Sequence, residues 1–528
     1  MMRQTAGIVL IIILILCVVT FLAIYVTTPT TPAENATTLR GEPATTVTER
    51  AAETAIEPAA ATAAEQAASN AVTSANMNLA NERSAAYGFA VPVPATLLAG
   101  SYVNALSNSY HNLAGDGVTD DTANLQTLID DIPAGTAIYF PAGTYLIAGT
   151  VSTSKSLTLF GTTGTVFECT KNGGYYYDLT FSGNNVLITG IKFIGAGEGT
   201  YPTVVYFNGG NNKAVTNSVF NNTGEAAIEF HDVTGGIVDN SLFADCYGND
   251  NTDAAGYGVA ISDTSNNVTI KNSYFTIRGR HSVMTGSQNA GTSEYGSWPK
   301  NVYILNNYME GVLSEAVNNH PQTDGPVYVE NNTIVCPQPQ TYDGQAYPES
   351  WGIVLGSGGA GDISRGDQYV INNTLYNCNQ AIWSNYDYSQ PTDNRVIADN
   401  TIILNQPGRS YSKLIFVQGN STVVENNTIV GNSGTKQGIY VGYYQGDDTL
   451  GLGNRAITNI SVINNFVQAA YDNIYVQGAS GYNVSDITIT GNVVESTGTS
   501  DSQSISLTYA SNAVVNNNII KNIQIQAE

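Results

Sequence analysis

Only four histidines occur in this 528-residue chain, and three of them share phrases with acids and arginines. The phrases are AAIEFHD around His231, IRGRHSVMTG around His281 and EAVNNHPQTDG around His320. Imidazole has an ordinary pKa close to neutrality, so it can give or take a proton there. Arg278 and Arg280 precede His281, Glu315 precedes His320, and Asp324 follows it. A base beside an arginine suits elimination from a uronic acid. His281 or His320 would move the proton, and Arg280 or Arg278 would neutralise the neighbouring carboxylate. Two carboxyl groups about 5–9 Å apart would suit glycoside hydrolysis instead. Glu229, Asp232, Asp245, Glu315 and Asp324 are available for that. Isolated surface histidines and arginines without catalysis are the plain alternative.

Strands must position these groups. Nine strand phrases align, beginning at Ala227, Gly258, His281, Ala316, Gly352, Ala381, Leu414, Gly438 and Asn473. Their second and fourth positions are mostly apolar and predict an inward side, so the first, third and fifth should point outward. The third position reads Glu229, Ala260, Val283, Asn318, Val354, Trp383, Phe416, Tyr440 and Tyr475. Its last four members predict an exposed aromatic row, a platform for the apolar faces of sugar rings. Packing beneath a loop is the alternative. His231 and His320 share the fifth position three coils apart, about 14 Å, and would line one groove with His281. The expected catalytic groups are thus Arg280, His281, His320, Glu315 and His231. The expected substrate contacts are Glu229, Arg278, Asn318, Asp324, Trp383, Phe416, Tyr440 and Tyr475.

A repeat holds the strands in register. An apolar-x-Asn phrase, followed by a small residue and apolar residues, recurs at Asn217, Asn240, Asn272, Asn307, Asn332, Asn373, Asn400, Asn427, Asn465, Asn492 and Asn518. The intervals are 23, 32, 35, 25, 41, 27, 27, 38, 27 and 26 residues. A base period in the mid-twenties with longer intervals marks stacked coils carrying loop insertions. Each repeat holds short alternating strands and no long helical pattern. A recurrent asparagine at one turn can hydrogen-bond to the coils above and below, which satisfies an inward amide. The expected fold is all-β, a single parallel β-helix of about a dozen coils spaced about 4.8 Å apart.

The stretch GDGVTDDTANLQTLIDDIPAGTAIYFPAGTYLI, Gly115 to Ile147, opens the repeat. Thr119 or Asp120 can cap a helix whose Leu125, Leu128 and Ile129 share one side. Such a helix closes the first coil and hides its edge. This opening resembles that of the pectate-lyase-like superfamily of right-handed β-helix proteins, over roughly residues 100–528. The resemblance implies a right-handed coil. It leaves open polysaccharide lyase, glycoside hydrolase, epimerase and tailspike functions, because one fold hosts many. Asn251-Thr252-Asp253 is similar to the first polygalacturonase motif, but the Asp-Asp, Gly-His-Gly and Arg-Ile-Lys signatures of that family are missing in their expected order. The arginine motif of typical pectate lyases is not visible either. By analogy with β-helix fibres a homotrimer is implied, though no residue demands one.

Residues Ala6 to Val26 form a nearly unbroken apolar run. At about 1.5 Å per helical residue it reaches across a hydrocarbon core of about 30 Å. Arg3 precedes it and the next basic residue is Arg40, so residues 1–5 are expected in the cytoplasm and the rest outside. A cleavable signal peptide is the rival, but the run is long and no small-x-small site follows it. Residues 27–90, Thr/Pro-rich and then Ala-rich, predict a stalk with some helix, and residues 91–528 the β-helix domain.

With 43 acidic and 19 basic residues the net charge is −24. That speaks against a nucleic-acid partner and weakly against a highly anionic glycan. Calcium is the one candidate cofactor, through Asp245, Asp250 and Asp253 in DCYGNDNTD, although the spacing is not that of an EF-hand and solvated loop acids are the simpler reading. Cys336 and Cys378 fall at similar places in successive coils, so a bridge and two buried thiols are both open. Glycan acceptor sequences occur at Asn35, Asn221, Asn267, Asn331, Asn372, Asn420, Asn426, Asn459 and Asn483. The expected function is a membrane-anchored extracellular protein that binds and cleaves a polysaccharide, as lyase or hydrolase. A non-catalytic adhesin, envelope component or viral fibre fits the stalk and repeat equally well.

Overall fold

Short strands rich in β-branched and aromatic residues, separated by Asn, Asp and Gly turns, find their partners one repeat away. The computed structural model describes residues 58–522 apart from the segments 93–94, 108–110, 171–176, 198–199, 201, 248–255, 287–297, 320–322, 338–339, 343–344, 348–350, 357–363, 385–393, 406–411, 433–434, 443–456, 479–483 and 498–503. The repeats form three long parallel sheets. Sheet A has 15 strands, from Val103–Asn104 to Ala510–Asn516. Sheet B has 15, from Asp116–Asp120 to Ile519–Asn522, and sheet C has 13, from Val151–Thr153 to Ile505–Thr508. One coil visits C, A and B in turn, as in Ala226–His231, Thr234–Asp239 and Leu242–Ala244. This is a parallel β-helix.

Inside the coil, like stacks on like. Phe193, Phe220, Phe243 and Phe275 of successive sheet B strands lie face to face, with centroids 4.8, 5.2 and 4.6 Å apart. At the turn from A to B runs a ladder of buried asparagines. Asn373 Nδ2 donates to Asn400 Oδ1 at 3.1 Å and to the Val329 carbonyl at 2.8 Å. Its Oδ1 accepts from the backbone N–H of Asn332 at 2.9 Å and from Asn332 Nδ2 at 3.0 Å. The inward amide is satisfied from both neighbouring coils, as the repeat predicts.

The first three anchors of the sequence repeat are one residue off this ladder. It passes instead through Ser218, Ser241 and Ser273, and the Ser273 N–H donates to Asn307 Oδ1 at 3.0 Å. Asn217, Asn240 and Asn272 hold the adjacent left-handed turn, with φ of 51, 46 and 50°. Asparagine is the non-glycine residue that adopts this conformation most readily.

Sheet C corrects the alignment twice. Its first position does not point outward. Ala227, Ala316 and Ala381 belong to the apolar interior. A Cβ on Gly258 would stand 2.7 Å from the Phe275 ring, and one on Gly438 2.2 Å from Val467. The preceding row, Ala226, Tyr257, His281, Glu315 and Trp351, lies outside that interior. His281 therefore belongs one row earlier than expected, and Met284 replaces Val283 in the third position. Most of that inward row is small, but Leu414 and Asn473 also occupy it, so size alone does not mark it and the pairing of the strands does.

Three helices are described, α1 (Pro58–Tyr87), α2 (Ala95–Leu98) and α3 (Thr122–Asp131). Helix α3 is the predicted closing helix and buries Leu125, Leu128 and Ile129. Asp121 stands at its N-cap position, but Asp120 caps it, accepting from the Thr122 N–H at 2.9 Å. The Asp121 carboxylate turns instead to the N–H groups of Ala114 and Gly115, at 2.6 and 3.1 Å. Lys155 Nζ donates to the carbonyls of Ile129, Asp130 and Ile132 at the other end, where cations oppose the helix dipole.

Of the expected stalk, residues 27–57 lie outside the described residues, and the described part is docked rather than free-standing. Helix α1 runs along the outer face of sheet B. Ala61, Ala68, Ala75 and Ala86 are buried, and Val72 and Leu79 pack between them. This 3.5-residue rhythm of small side chains is a seam narrow enough to lie flat on a sheet. Beneath it are Tyr308, Val335, Tyr376 and Ile403. Glu65 pairs with Lys521 near one end. Near the other, Arg83 Nη2 meets Glu310 Oε1 at 2.8 Å and Arg83 Nε donates to Tyr308 OH at 3.1 Å. The helix of 30 residues is about 45 Å long, and the nine sheet B strands from Tyr274–Thr276 to Ile519–Asn522 span about 38 Å. Residues 6–26, read as a membrane anchor, lie outside the described residues, and among those described no helix is long and apolar enough to cross a membrane.

Candidate functional site on sheet C

The outer third row of sheet C runs Tyr206, Glu229, Ala260, Met284, Asn318, Val354, Trp383, Phe416, Tyr440 and Tyr475. Its two halves differ in kind. The later half is apolar, and the expected exposed platform is not there. Trp383 is 4%, Phe416 0% and Tyr440 2% exposed, in a small cluster with Val354 outside the coil. Their polar atoms are committed. Trp383 Nε1 donates to Gln418 Oε1 and Tyr440 OH to Gln477 Oε1, both at 2.9 Å. Lys413 Nζ lies 4.5 Å from the Phe416 centroid and 4.1 Å from that of Tyr440. Tyr475 alone is half-buried, and burial pushes its hydroxyl up.

The earlier half gathers titratable groups. Tyr177 and Tyr206 stack at 3.6 Å with 9° between their planes. Glu229, in the next strand, is buried and accepts the Ser262 hydroxyl at 2.7 Å. His231 Nδ1 meets Asp263 Oδ2 at 2.8 Å, and Nε2 meets Asp232 Oδ2 at 3.4 Å. The Asp263 contact holds His231 above the ordinary imidazole value against the opposing effect of burial, helped by Asp232 and Glu229. Ser262 Oγ approaches the same Nδ1 at 3.3 Å. Ser262 and Asp263 thus share Nδ1 while Asp232 faces Nε2, and the Ser262 hydroxyl hydrogen goes to Glu229 rather than to the ring. Glu225 stands just before the strand. Burial, and then the Glu229 charge, push its carboxyl up to about 7.

Two to three coils on, His281 and Glu315 form a buried pair. His281 Nδ1 lies 3.1 Å from Glu315 Oε2 and its ring stacks parallel to Tyr257 at 5.5 Å. Burial pushes Glu315 up. The His281 hydrogen bond and charge, with donors from Ser314 and Asn318, outweigh it and bring the carboxyl down to about 2. His281 Nε2 and Asn318 Oδ1 are buried without a hydrogen-bond partner among the described residues.

The expected site residues are therefore partly assembled. His281 and Glu315 meet, and Glu229 and His231 share a cluster. His231 and His281 do not meet, because five residues along the strand and two coils across separate them by about 19 Å. Arg278 is exposed and its Nε lies 3.3 Å from Asp245 Oδ1, and Arg280 is half-buried just before His281. Asp324 sits in a two-residue strand paired with Ser364–Arg365. His320, Asp250 and Asp253 lie outside the described residues. Among those described, no three His, Cys, Asp or Glu groups are placed to hold a metal ion. Cys336 and Cys378 are bridged, with Cα atoms 4.9 Å apart, while Cys169 and Cys246 are buried thiols. Sequence reading missed Glu225, Tyr177, Tyr206, Ser262 and Asp263. The alignment began at Ala227, one strand after Tyr206, and stopped short of the turns.

The fold is that of a parallel β-helix protein, and part of the chain is similar to pectate-lyase-like proteins. Residues 109–340, which include the titratable half of sheet C, match the family described as rhamnogalacturonase A/epimerase, pectate lyase-like. No curated protein matches by sequence. Among solved structures, PfbA, a surface adhesin of Streptococcus pneumoniae, is 16% identical with a TM-score of 0.50, over 80% of this chain and 92% of its own. The catalytic unit of an α-1,3-glucanase from Streptomyces thermodiastaticus is 14% identical with a TM-score of 0.43, over 83% of this chain and 70% of its own. An exopolygalacturonase of Yersinia enterocolitica is 13% identical with a TM-score of 0.41, over 81% and 79%. Likeness at this level speaks for the fold and not for a reaction.

Proposed function

We propose that this protein works outside the cell, on a polysaccharide laid along the outer face of sheet C, and that it hydrolyses glycosidic bonds there. One observation carries the reading: Glu225 and Glu229 lie beside the Tyr177–Tyr206 stack, and burial, with the Glu229 charge, pushes the Glu225 carboxyl up to about 7. A carboxyl that keeps its proton near neutrality can donate it to a leaving oxygen. Glu229, holding the Ser262 hydroxyl, is the partner that bears charge. Tyr177, half-buried and stacked on the buried Tyr206, supplies an apolar wall for a sugar ring. The anchor at residues 6–26 and glycans at Asn331, Asn372 or Asn426, which are exposed, belong to the same reading of a surface protein.

A second reading is binding without turnover. Glu229 is 1% exposed and Ser262 0%, which restricts access to the second carboxylate. One experiment separates the two. The chain is incubated with neutral and uronate polysaccharides while reducing ends and the ultraviolet absorbance of unsaturated uronate are followed together. Hydrolysis raises reducing ends alone, and E225Q abolishes the rise. Both signals rising would replace hydrolysis with elimination. Retention of a glycan with neither signal would leave the adhesin reading.

A further inference from the structure

Sheet C carries its ionisable groups unevenly. From Tyr177 to Glu315 its strands cover five spacings, about 24 Å, room for roughly five sugars of about 5 Å each. Along that stretch stand Glu225, Glu229, Asp232, Asp263 and Glu315. Facing them are the imidazoles of His231 and His281 and the guanidinium of Arg280. Both imidazoles are already held by carboxylates of this set. The other expected cation, Arg278, lies against Asp245. Burial, and then the Glu229 charge, raise the neighbouring Glu225, so a further negative charge beside this pair is disfavoured.

A uronate chain would bring one carboxylate with each sugar. Elimination needs that carboxylate neutralised, and the carboxylates around Glu225 and Glu229 outnumber the single imidazole among them. The whole protein, at −24, adds to the repulsion. The face does offer what an uncharged sugar needs. The Tyr177–Tyr206 pair supplies an apolar edge, and His281 Nε2 and Asn318 Oδ1 are polar atoms in almost fully buried side chains with no hydrogen-bond partner among the described residues.

We infer that the polysaccharide taken by this face is uncharged, a neutral glycan rather than a polyuronate. The inference rests on the proposal that sheet C binds a glycan. Its test uses the full chain in native gels containing either a neutral polymer (galactomannan or mixed-linkage β-glucan) or a polyuronate (polygalacturonate or alginate). Retardation is read from about 0.01 M to about 1 M salt, over which the screening length falls from about 30 Å to 3 Å. The expected result is retardation by a neutral polymer at all salts and by polyuronates only as salt rises. The preference at low salt should be at least about tenfold, equivalent to about 1.4 kcal/mol. The E225Q/E229Q pair should narrow that preference, and the salt series on the unaltered chain gives the answer even if this variant fails to fold. Stronger retardation by a polyuronate at low salt, released by salt, overturns the inference and leaves sheet C as a glycan face. Retardation by neither class at any salt overturns both.

Discussion

His281 and Glu315 stand 34 residues apart in sequence, yet the imidazole Nδ1 lies 3.1 Å from both the Glu315 carboxylate and its backbone carbonyl oxygen, because parallel pairing puts them in adjacent coils. Each is buried, so each depends on the other. E315Q leaves a buried imidazole beside a neutral amide, and losing one member of such a pair costs about 3–5 kcal/mol. The pH dependence has a definite sign. A carboxyl brought down to about 2 in the folded state contributes stability that is present above its ordinary value and lost as pH falls towards 2. The urea midpoint of the unaltered chain should drop between pH 4.5 and 2 by more than that of E315Q. Parallel curves for the two would refute the pairing.

Glu225 behaves in the opposite way. Its carboxyl is pushed up to about 7, so the folded state holds the proton more tightly than the unfolded chain does. The resulting stabilisation is complete below the ordinary carboxylate range and disappears as pH rises through 7. E225Q should therefore melt with the unaltered protein at pH 4 and above it at pH 8. Calorimetry at the two pH values decides this, and a difference that fails to grow with pH counts against the burial of that carboxyl.

The asparagine ladder makes a sharper prediction. N373A removes the acceptor for two donors of Asn332 and the donor to Asn400 and Val329. Each buried polar group left alone costs about 1–3 kcal/mol, so the loss should reach at least about 3 kcal/mol. N372A, one residue earlier on the exposed side, should cost clearly less. Equal losses in chemical denaturation would mean that the ladder is not what holds the turn.

The seating of α1 can be tested by charge. Ala75 is 5% exposed at the seam, whereas Ser74 beside it faces solvent. A75E should free the helix and S74E should not. Limited proteolysis then cuts A75E within residues 58–90 while leaving the β-helix intact. Protection of both variants would contradict the packing.

What could be read from the sequence was what repeats. The coil, the asparagine turns and the closing helix Thr122–Asp131 all announce themselves by period or by cap, and each survives in the structure. The site was legible only where it lay on a strand, as with Glu229, His231, His281 and Glu315. Glu225 and Asp263 lie at strand ends, where no alternation marks them. Trp383, Phe416 and Tyr440 misled because alternation tells inside from outside of the coil, and the outside of a coil is not always solvent. The slip at His281 had a similar cause. HSVMTG fits the pattern at either of two offsets, and the pairing of Ala260 with Met284 chooses between them. The docking of α1 left its trace in Ala61, Ala68 and Ala75, but small residues are read first as helix formers and only second as a contact surface.

Helix α1 has a consequence for how the molecule is made. The ribosome delivers residues 58–87 before the strands they lie on, which extend to Ile519–Asn522. The helix is therefore made before its own berth. Glu65 meets Lys521 only once the coil holding Ile519–Asn522 has closed, so the helix is seated along its length only after that coil is in place.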